Sequence, residues 1–221
     1  MIRTEALRLR HPAGPTLAFP DLDLPQGGRL LLQGRSGAGK SSWLALVAGL
    51  LLPESGRLLV AGQDLRALTG AARDRWRGAH VGMVPQRLHL SDALGVADNL
   101  ALAYFALGRA VNRAAVASAL AALGIGELAA RRPGQLSAGQ AQRVALARAV
   151  LLSPRVLLAD EPTANLDDEA AADALALLES AALRCGATLV VATHDRRVRE
   201  AMPQAEVLRL DATAPAREPV A

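Results

Sequence analysis

The chain has 221 residues, of which 51% are hydrophobic and 2% aromatic, so it can bury one sizeable core built from Leu, Val and Ala. Its formal charge is only +4, its basic residues are scattered, and few aromatic side chains could stack on bases, which argues against a nucleic-acid partner. The longest apolar run, residues 43–52, is too short for a bilayer span. The single cysteine, Cys185, cannot form an internal disulfide, which suits a reducing compartment. We therefore predict a cytoplasmic protein without a signal peptide.

Residues 34–41 (GRSGAGKS) form the first motif that carries chemistry. They follow a strand-like run, residues 29–33, and precede a helical run, residues 40–51, which is the setting of a phosphate-binding loop with the pattern GxxxxGK[ST]. Glycines let backbone N–H groups point at phosphate oxygens, and the N-terminus of the following helix adds positive potential. A plain glycine-rich turn is the alternative for an isolated match. The residues expected to contact a nucleotide are Gly34, Ser36, Gly37, Ala38, Gly39, Lys40, Ser41 and Ser42.

Lys40 is the only lysine in a chain that has 24 arginines. A loop that wraps a small anion closely can admit a compact ammonium, whereas a planar guanidinium is wider and holds its donors in a fixed fork. We therefore expect Lys40 to reach the β and γ phosphates of the nucleotide, and the Ser41 hydroxyl to bind Mg²⁺.

Further along the chain, strand-like runs alternate with helical ones. Strands are predicted at residues 57–61, 80–84, 156–159 and 188–192, and helices at 113–123, 138–152 and 168–185. This alternation favours an α/β fold with a mainly parallel sheet. Residues 87–135 have Ala-rich helical patterns without a good strand, so we predict one domain with an α/β core at 1–86 and 136–210, an inserted helical subdomain at 87–135, and a flexible tail at 211–221.

Two acidic residues follow the apolar run at 156–159. A buried parallel strand would present Asp160 and Glu161 at its carboxyl end, where open α/β sheets bind ligands. We expect Asp160 to act in the outer shell of Mg²⁺ and Glu161 to polarise the attacking water as a general base. A helix-capping acidic pair is the alternative.

Residues 136–140 (LSAGQ) resemble the signature motif of the ATP-binding cassette (ABC) ATPases, which most often reads LSGGQ. The resemblance covers nearly the whole chain, because the other motifs stand in the family's order: the phosphate loop, Gln86 in VPQ, the signature, VLLADEP, ANLD at 164–167, and ATHD at 192–195. It implies a P-loop NTPase fold of the ABC type that binds ATP and Mg²⁺ and hydrolyses ATP.

The resemblance also implies a homodimer in which two chains associate head to tail around two ATP molecules. Ser137, Gly139 and Gln140 of one chain would contact the nucleotide held by the other, and Asp167 would lie in the same interface. Ser137 suits this role because it can cap the helix that follows, and a helix N-terminus aimed at phosphate needs small residues nearby.

The remaining motifs imply coupling between hydrolysis and transport. Gln86 would sense Mg²⁺ and the γ-phosphate while moving the helical insert, and His194 would bond the γ-phosphate and orient the water near Glu161. The implied partners are transmembrane permease subunits, which would hold the chain at the cytoplasmic face of the inner membrane. Within the family, ADEPTANLD and the short region after Gln86 look most similar to exporters of the lipoprotein-release and macrolide-export type.

The sequence departs from the family pattern at three positions. Ala138 replaces the first glycine of the signature, Ser42 stands where threonine is common, and His11 occupies about the place of the aromatic residue that stacks on adenine. Alanine is tolerated if the position is helical. Three alternatives remain open: a soluble ABC-type ATPase that acts on DNA or ribosomes, a regulatory subunit with little turnover, and a small-molecule kinase with the same loop.

Overall fold

A computed structural model describes residues 1–10, 15–164 and 166–210. The expected adenine contact at His11 and the predicted tail at 211–221 lie outside the described residues. In the described ranges the strands are β1 (Ile2–Arg10), β2 (Thr16–Ala18), β3 (Leu22–Leu24), β4 (Arg29–Gly34), β5 (Ser55–Val60), β6 (Gln63–Asp64), β7 (Val81–Val84), β8 (Val156–Asp160), β9 (Thr188–Ala192) and β10 (Glu206–Leu210). The α-helices are α1 (Lys40–Val47), α2 (Gly70–His80), α3 (Val96–Phe105), α4 (Arg113–Ala121), α5 (Ala138–Val150), α6 (Asp168–Cys185) and α7 (Arg196–Ala201).

A parallel sheet carries the motifs, and it confirms the predicted α/β fold. Its strand order is β10-β4-β9-β8-β7, and every pairing is parallel. Strands β8 and β9 are buried along their full length, which explains why both read as continuous apolar runs. Ala192 at the end of β9 pairs with Leu32 on one side and Asp160 on the other. The segments that follow β4, β8 and β9 therefore leave the sheet at the same edge.

A second, antiparallel sheet was not predicted. It has the order β2-β1-β5-β6, with β3 also paired to β1. Residues 57–60 of the strand predicted at 57–61 lie in β5, whereas Ala61 follows it in a turn, and β5 belongs to this sheet rather than to the parallel one. The alternation of β1 is broken where its register with β5 shifts between Glu5 and Arg8, beside Ala6 at φ 47°. That irregularity hides the strand's period of two from the sequence.

The predicted boundaries differ from the observed ones by a few residues. The helix expected at 40–51 ends at Val47, because Gly49 adopts a left-handed φ of 66° that cannot continue it. The strand expected at 80–84 loses His80, which is the last residue of α2. The helices predicted at 113–123 and 138–152 each end two residues earlier, at Ala121 and Val150. The sequence reading also missed α2, α7 and β10, and it included α3 only within the helical region at 87–135, without separate bounds.

Two hydrophobic clusters lie on opposite faces of the parallel sheet. Leu31 of β4 faces one cluster, whereas its neighbours Leu30 and Leu32 face the other. The first cluster is shared with α3, α4, α5 and α6, and the second with α1, Trp76 of α2 and the antiparallel sheet. Residues 87–135, a fully described stretch, form helices and turns without a strand and share the first cluster with the sheet.

The phosphate-loop helix is anchored on the second face. Trp43 and Leu44 of α1 are fully buried there, so the start of the helix is fixed relative to the edge of the sheet.

Within the described ranges, no helix has the length and apolar content that a membrane crossing requires.

Candidate functional site

The phosphate loop is held in shape by two glycines that no other residue could replace without strain. Gly39 has φ 94°, and a Cβ added to it would lie 3.0 Å from Leu17 Cδ1. A Cβ on Gly34 would lie 2.6 Å from the Leu210 carbonyl oxygen of the neighbouring strand. The helix therefore begins at a backbone conformation that L side chains rarely adopt, and the strand ends where the neighbouring strand leaves no room for a side chain. Between them Ser36 and Gly37 are exposed, while Ala38 packs inward.

Lys40 lies at the start of α1 and turns back over the loop. Its Nζ donates a hydrogen bond to the Gly34 carbonyl oxygen at 3.0 Å and lies 3.5 Å from Glu161 Oε1. The Lys40 and Glu161 side chains are only 10% and 11% exposed, respectively. The chain's only lysine ammonium therefore stands between the phosphate loop and the acid that follows β8.

Ser41 and Asp160 bring two oxygen atoms together beside the loop. Ser41 Oγ donates to Asp160 Oδ2 at 2.9 Å, although the residues are 119 positions apart. Burial raises the pKa of the Asp160 carboxyl, and the hydrogen bond from Ser41 opposes that shift. Hard oxygen donors of this kind suit Mg²⁺, which usually takes one or two protein ligands and completes its shell with water and phosphate. The described residues contain no group of three or more His, Cys, Asp and Glu that could hold a metal ion.

Glu161 is fixed by both its backbone and its carboxylate. Its φ of 48° lies in the left-handed region, and its N–H donates to the Ala192 carbonyl oxygen at 2.8 Å. Strain of this kind costs about 1–3 kcal/mol and persists only where the surroundings impose it. Glu161 Oε2 accepts from Thr193 Oγ1 at 3.0 Å, and Oε1 lies 2.8 Å from His194 Nδ1, at hydrogen-bond distance. The carboxylate thus has one fixed orientation.

One cleft collects most of the predicted site residues. Its lining includes the loop, Gln86 after β7, the two acids after β8 and His194 after β9. His194 is exposed, with 75% of its side chain accessible, and Gln86 is exposed as well. The lining residues are Pro15, Leu17, Arg35, Ser36, Gly37, Gly39, Lys40, Ser41, Ser42, Gln86, Asp160, Glu161 and His194.

The signature residues are not part of that lining. Ser137 caps α5 by accepting from the Gln140 N–H at 3.2 Å, while the Gln140 side chain accepts from the Ser137 N–H at 3.0 Å. Ala138 is the first residue of α5 and is helical, so its methyl group meets no left-handed backbone. Gly139 lines a separate apolar pocket between α5 and α6.

Asp167 is likewise outside the cleft. It caps α6, where its Oδ1 accepts from the Ala170 N–H at 2.8 Å. In a single chain, then, the residues from the signature and from ANLD cap helices, and the structure brings neither group to the phosphate loop.

Sequence reasoning missed the residues that hold His194 in place. Thr193 is fully buried and bridges Glu161 to the Asp195 N–H, and Asp195 accepts from Thr163 Oγ1 at 2.8 Å. Hydrogen bonds from Arg197 lower the pKa of Asp195 to about 2. The ATHD motif could have revealed Asp195, because an aspartate before a helical run is a common helix cap. Only the histidine of that motif was assigned a role.

Comparison with known proteins gives a consistent result. Residues 18–164 match the family model described as ABC transporter. The chain is 42% identical over 206 residues to the lipoprotein-releasing system ATP-binding protein LolD of Anaeromyxobacter dehalogenans, covering 90% of this chain and 86% of the relative. It is 39% identical over 220 residues to the methionine import ATP-binding protein MetN of Bradyrhizobium diazoefficiens, covering 96% of this chain but only 63% of that relative.

Solved structures extend the likeness to the fold. A dimeric ATP-binding cassette in a post-hydrolysis state, bound to ADP and Pi, superposes with a TM-score of 0.82 at 27% identity. The match covers 95% of this chain and 94% of that one.

Proposed function

We propose that this chain, which belongs to the ABC transporter family, hydrolyses ATP to ADP and phosphate and so powers a separate membrane permease. The observation that carries the proposal is the position of Glu161. Its carboxylate lies between the Lys40 ammonium, 3.5 Å away, and the His194 imidazole, 2.8 Å away. A base held between a phosphate-binding loop and a second polar group is what hydrolysis of a γ-phosphate needs.

The loop binds the nucleotide's phosphates. Ser36, Gly37 and residues 39–42 line the cleft at the N-terminus of α1, where free backbone N–H groups bind anions, and Lys40 adds a full positive charge. When phosphate enters, the ammonium exchanges its bond to the Gly34 carbonyl for phosphate oxygens, which are stronger acceptors.

Mg²⁺ would be held by Ser41, with Asp160 in its outer shell and Gln86 at the open side of the cleft. When bound, the ion neutralises charge on the phosphate oxygens. Asp160 suits this role because its buried carboxylate gains most from a nearby cation.

Glu161 accepts the proton of the attacking water as that water adds to the γ-phosphorus and the bond to ADP breaks. His194 is exposed on the cleft side of Glu161 and can donate to a phosphate oxygen or to the water. Thr193 holds Glu161 Oε2, while Oε1 contacts Lys40 and His194, which both line the cleft.

A second copy of the chain would complete the cleft. Ser137, Gly139 and Gln140 stand at the N-terminus of α5, away from the loop of their own chain, and Asp167 lies at the start of α6. A head-to-tail homodimer would place these helix ends against the phosphates of the other chain's nucleotide. The dimeric state of the similar cassette structure supports the formation of a dimer.

We further propose that residues 87–135 act as a helical subdomain that Gln86 links to the nucleotide, with 1–86 and 136–210 as the core. The chain would then work at the cytoplasmic face of the inner membrane through its permease. Within the family we favour the lipoprotein-release and macrolide-export type, supported by the similarity to a lipoprotein-releasing subunit over most of its length. Co-purification of the permease from cells tests this choice, and recovery of an import permease would refute it.

The experiment that tests hydrolysis compares the native chain with Glu161→Gln. Removing a general base costs roughly 10²–10⁴-fold in rate, while glutamine keeps the size and one acceptor oxygen of the side chain. We expect turnover by the native chain, loss of turnover in the variant, and a stable ATP-bound dimer only in the variant, measured by phosphate release and size exclusion. The soluble-ATPase alternative predicts turnover that added permease leaves unchanged, and the regulatory alternative predicts negligible turnover even with the permease present.

A further inference from the structure

The loop that carries His194 is tied to the segment after Glu161 by one guanidinium. Arg197 Nε donates to both Asp195 carboxylate oxygens, at 3.1 and 3.0 Å, and its Nη2 donates to Oδ2 at 2.8 Å. The Nη1 of the same side chain donates to the Leu166 carbonyl oxygen at 3.2 Å and to Asp168 Oδ1 at 2.7 Å. One side chain therefore holds the loop at 193–195 and the segment at 166–168 together.

These contacts are more than a local pair at a helix start. Asp195 does cap α7, and its bonds to Arg197 span only two residues. The contacts of Nη1, however, reach 31 and 29 residues back along the chain, and one of them ends on a main-chain carbonyl. A helix cap needs neither contact. The planar fork of arginine satisfies both directions at once, which a lysine could not do.

The same cluster is continuous with the base. The Asp195 N–H donates to Thr193 Oγ1 at 3.0 Å, and that hydroxyl donates to Glu161 Oε2 at 3.0 Å. A second tie comes from Thr163 Oγ1, which donates to Asp195 Oδ2 at 2.8 Å. Displacement of Asp195 would therefore move the hydroxyl that orients the Glu161 carboxylate, as well as the neighbouring His194.

We propose that Arg197 is a positioning residue for hydrolysis: it clamps the His194 loop to residues 166–168 and thereby aligns Glu161 and His194 with each other. This inference rests on the ATPase function proposed above. Arg197 has no place among the residues that line the nucleotide cleft, so it acts on the rate through other side chains rather than by touching ATP.

The test compares three variants of the full chain. Arg197→Met removes the guanidinium but keeps much of the stem, Arg197→Lys keeps the charge without the fork, and Arg199→Met removes a charge from the exposed part of α7 as the matched control. Because small misplacements of reacting groups cost large factors in rate, we expect kcat for ATP to fall roughly tenfold in Arg197→Met, with KM changed less than about twofold. Lysine should not restore kcat, and the control should match the native chain.

Asp168→Asn is a second test that leaves the fold intact, since the Asp168 side chain is 94% exposed. It removes the negative charge from one of the contacts made by Nη1 and so weakens that contact, and we expect a smaller fall in kcat, again without a change in KM. Equal kcat in Arg197→Met and the control would overturn the proposal. So would full rescue by lysine, because charge alone would then suffice, or a fall in kcat that is matched by a rise in KM.

Amide hydrogen exchange separates this inference from the proposed function. In the nucleotide-free chain, Arg197→Met should lose protection in residues 163, 164 and 166–168 together with residues 193–195, while Arg199→Met should not. If the native chain fails to turn over ATP even with its permease, the proposed function is wrong, and joint loss of protection would show that the clamp still exists. If turnover is normal and the two segments keep their protection in Arg197→Met, the clamp is wrong and the ATPase proposal stands.

Discussion

Replacing Lys40 with arginine tests why the chain has lysine at this one position. The Lys40 side chain is 10% exposed, with its ammonium 3.0 Å from the Gly34 carbonyl oxygen and 3.5 Å from Glu161 Oε1. A guanidinium is larger than the ammonium and cannot rotate its donors independently. Charge is conserved in Lys40→Arg, so any effect must come from shape.

The expected magnitude follows from that confinement. Forcing extra atoms into a packed site costs about 1–3 kcal/mol, which corresponds to roughly fivefold to 150-fold weaker nucleotide binding. Without nucleotide the longer side chain can swing into the open cleft, so the free energy of unfolding should change little. The loss should therefore appear in affinity and not in stability.

Isothermal titration with ADP measures this affinity without the complication of hydrolysis. Lys40→Met, which lacks the charge, should bind at least as weakly as Lys40→Arg, and Arg75→Lys at an exposed position of α2 should bind like the native chain. Native affinity in Lys40→Arg would refute the reasoning, because the loop would then require only a positive charge. A large drop in the unfolding temperature of Lys40→Arg would refute the claim that the cost falls on binding.

Two further predictions concern carboxylates with shifted pKa values. Burial raises the pKa of Asp160, so its ionised carboxylate destabilises the folded chain. Asp160→Asn should therefore keep or raise the free energy of unfolding at pH 7, while Mg²⁺-dependent ATP binding weakens by on the order of tenfold. A loss of stability in urea titrations would contradict this. Hydrogen bonds from Arg197 and Thr163 hold the pKa of Asp195 at about 2, below its ordinary 3.8, so the unfolded chain takes up the proton first as pH falls. The stabilisation, on the order of 1 kcal/mol after solvent screening, should be complete above about pH 5 and disappear as pH falls from about 4 to 2. Urea titrations of the native chain and Asp195→Asn should therefore differ at pH 6 and converge near pH 2, and a constant difference would show that the interaction is not ionic.

The sequence was informative wherever a motif occupies consecutive residues. The phosphate loop, its strand and its helix lie within residues 29–47, and the structure forms each of them there. Strands β8 and β9 were also predicted, since strands buried on both faces appear as unbroken apolar runs. The order of the motifs along the chain identified it as an ABC protein, which the family model confirms.

The N-terminal sheet was missed because its pattern depends on distant partners. Strand β1 pairs with β5 about fifty residues away, from Ile2 with Val60 to Arg8 with Ser55, and the shift in register after Glu5 breaks the alternation that would have marked it. Strand β10 has polar residues among its apolar ones, and only its place beside β4 shows that it completes the parallel sheet.

The assembly of the site was decided by tertiary structure alone. Ser41 meets Asp160 across 119 residues, and Glu161 meets His194 across 33, because β8 and β9 are neighbours and end at the same edge as β4. The clamp by Arg197 had no sequence signal, since an arginine two residues after an aspartate is consistent with any helix start. What the sequence by itself determined is the local chemistry of each motif, whose geometry comes from adjacent residues. Which motifs come into contact depends on the order and register of the strands. Packing energies summed over the whole core set that order and register, so no single residue determines them.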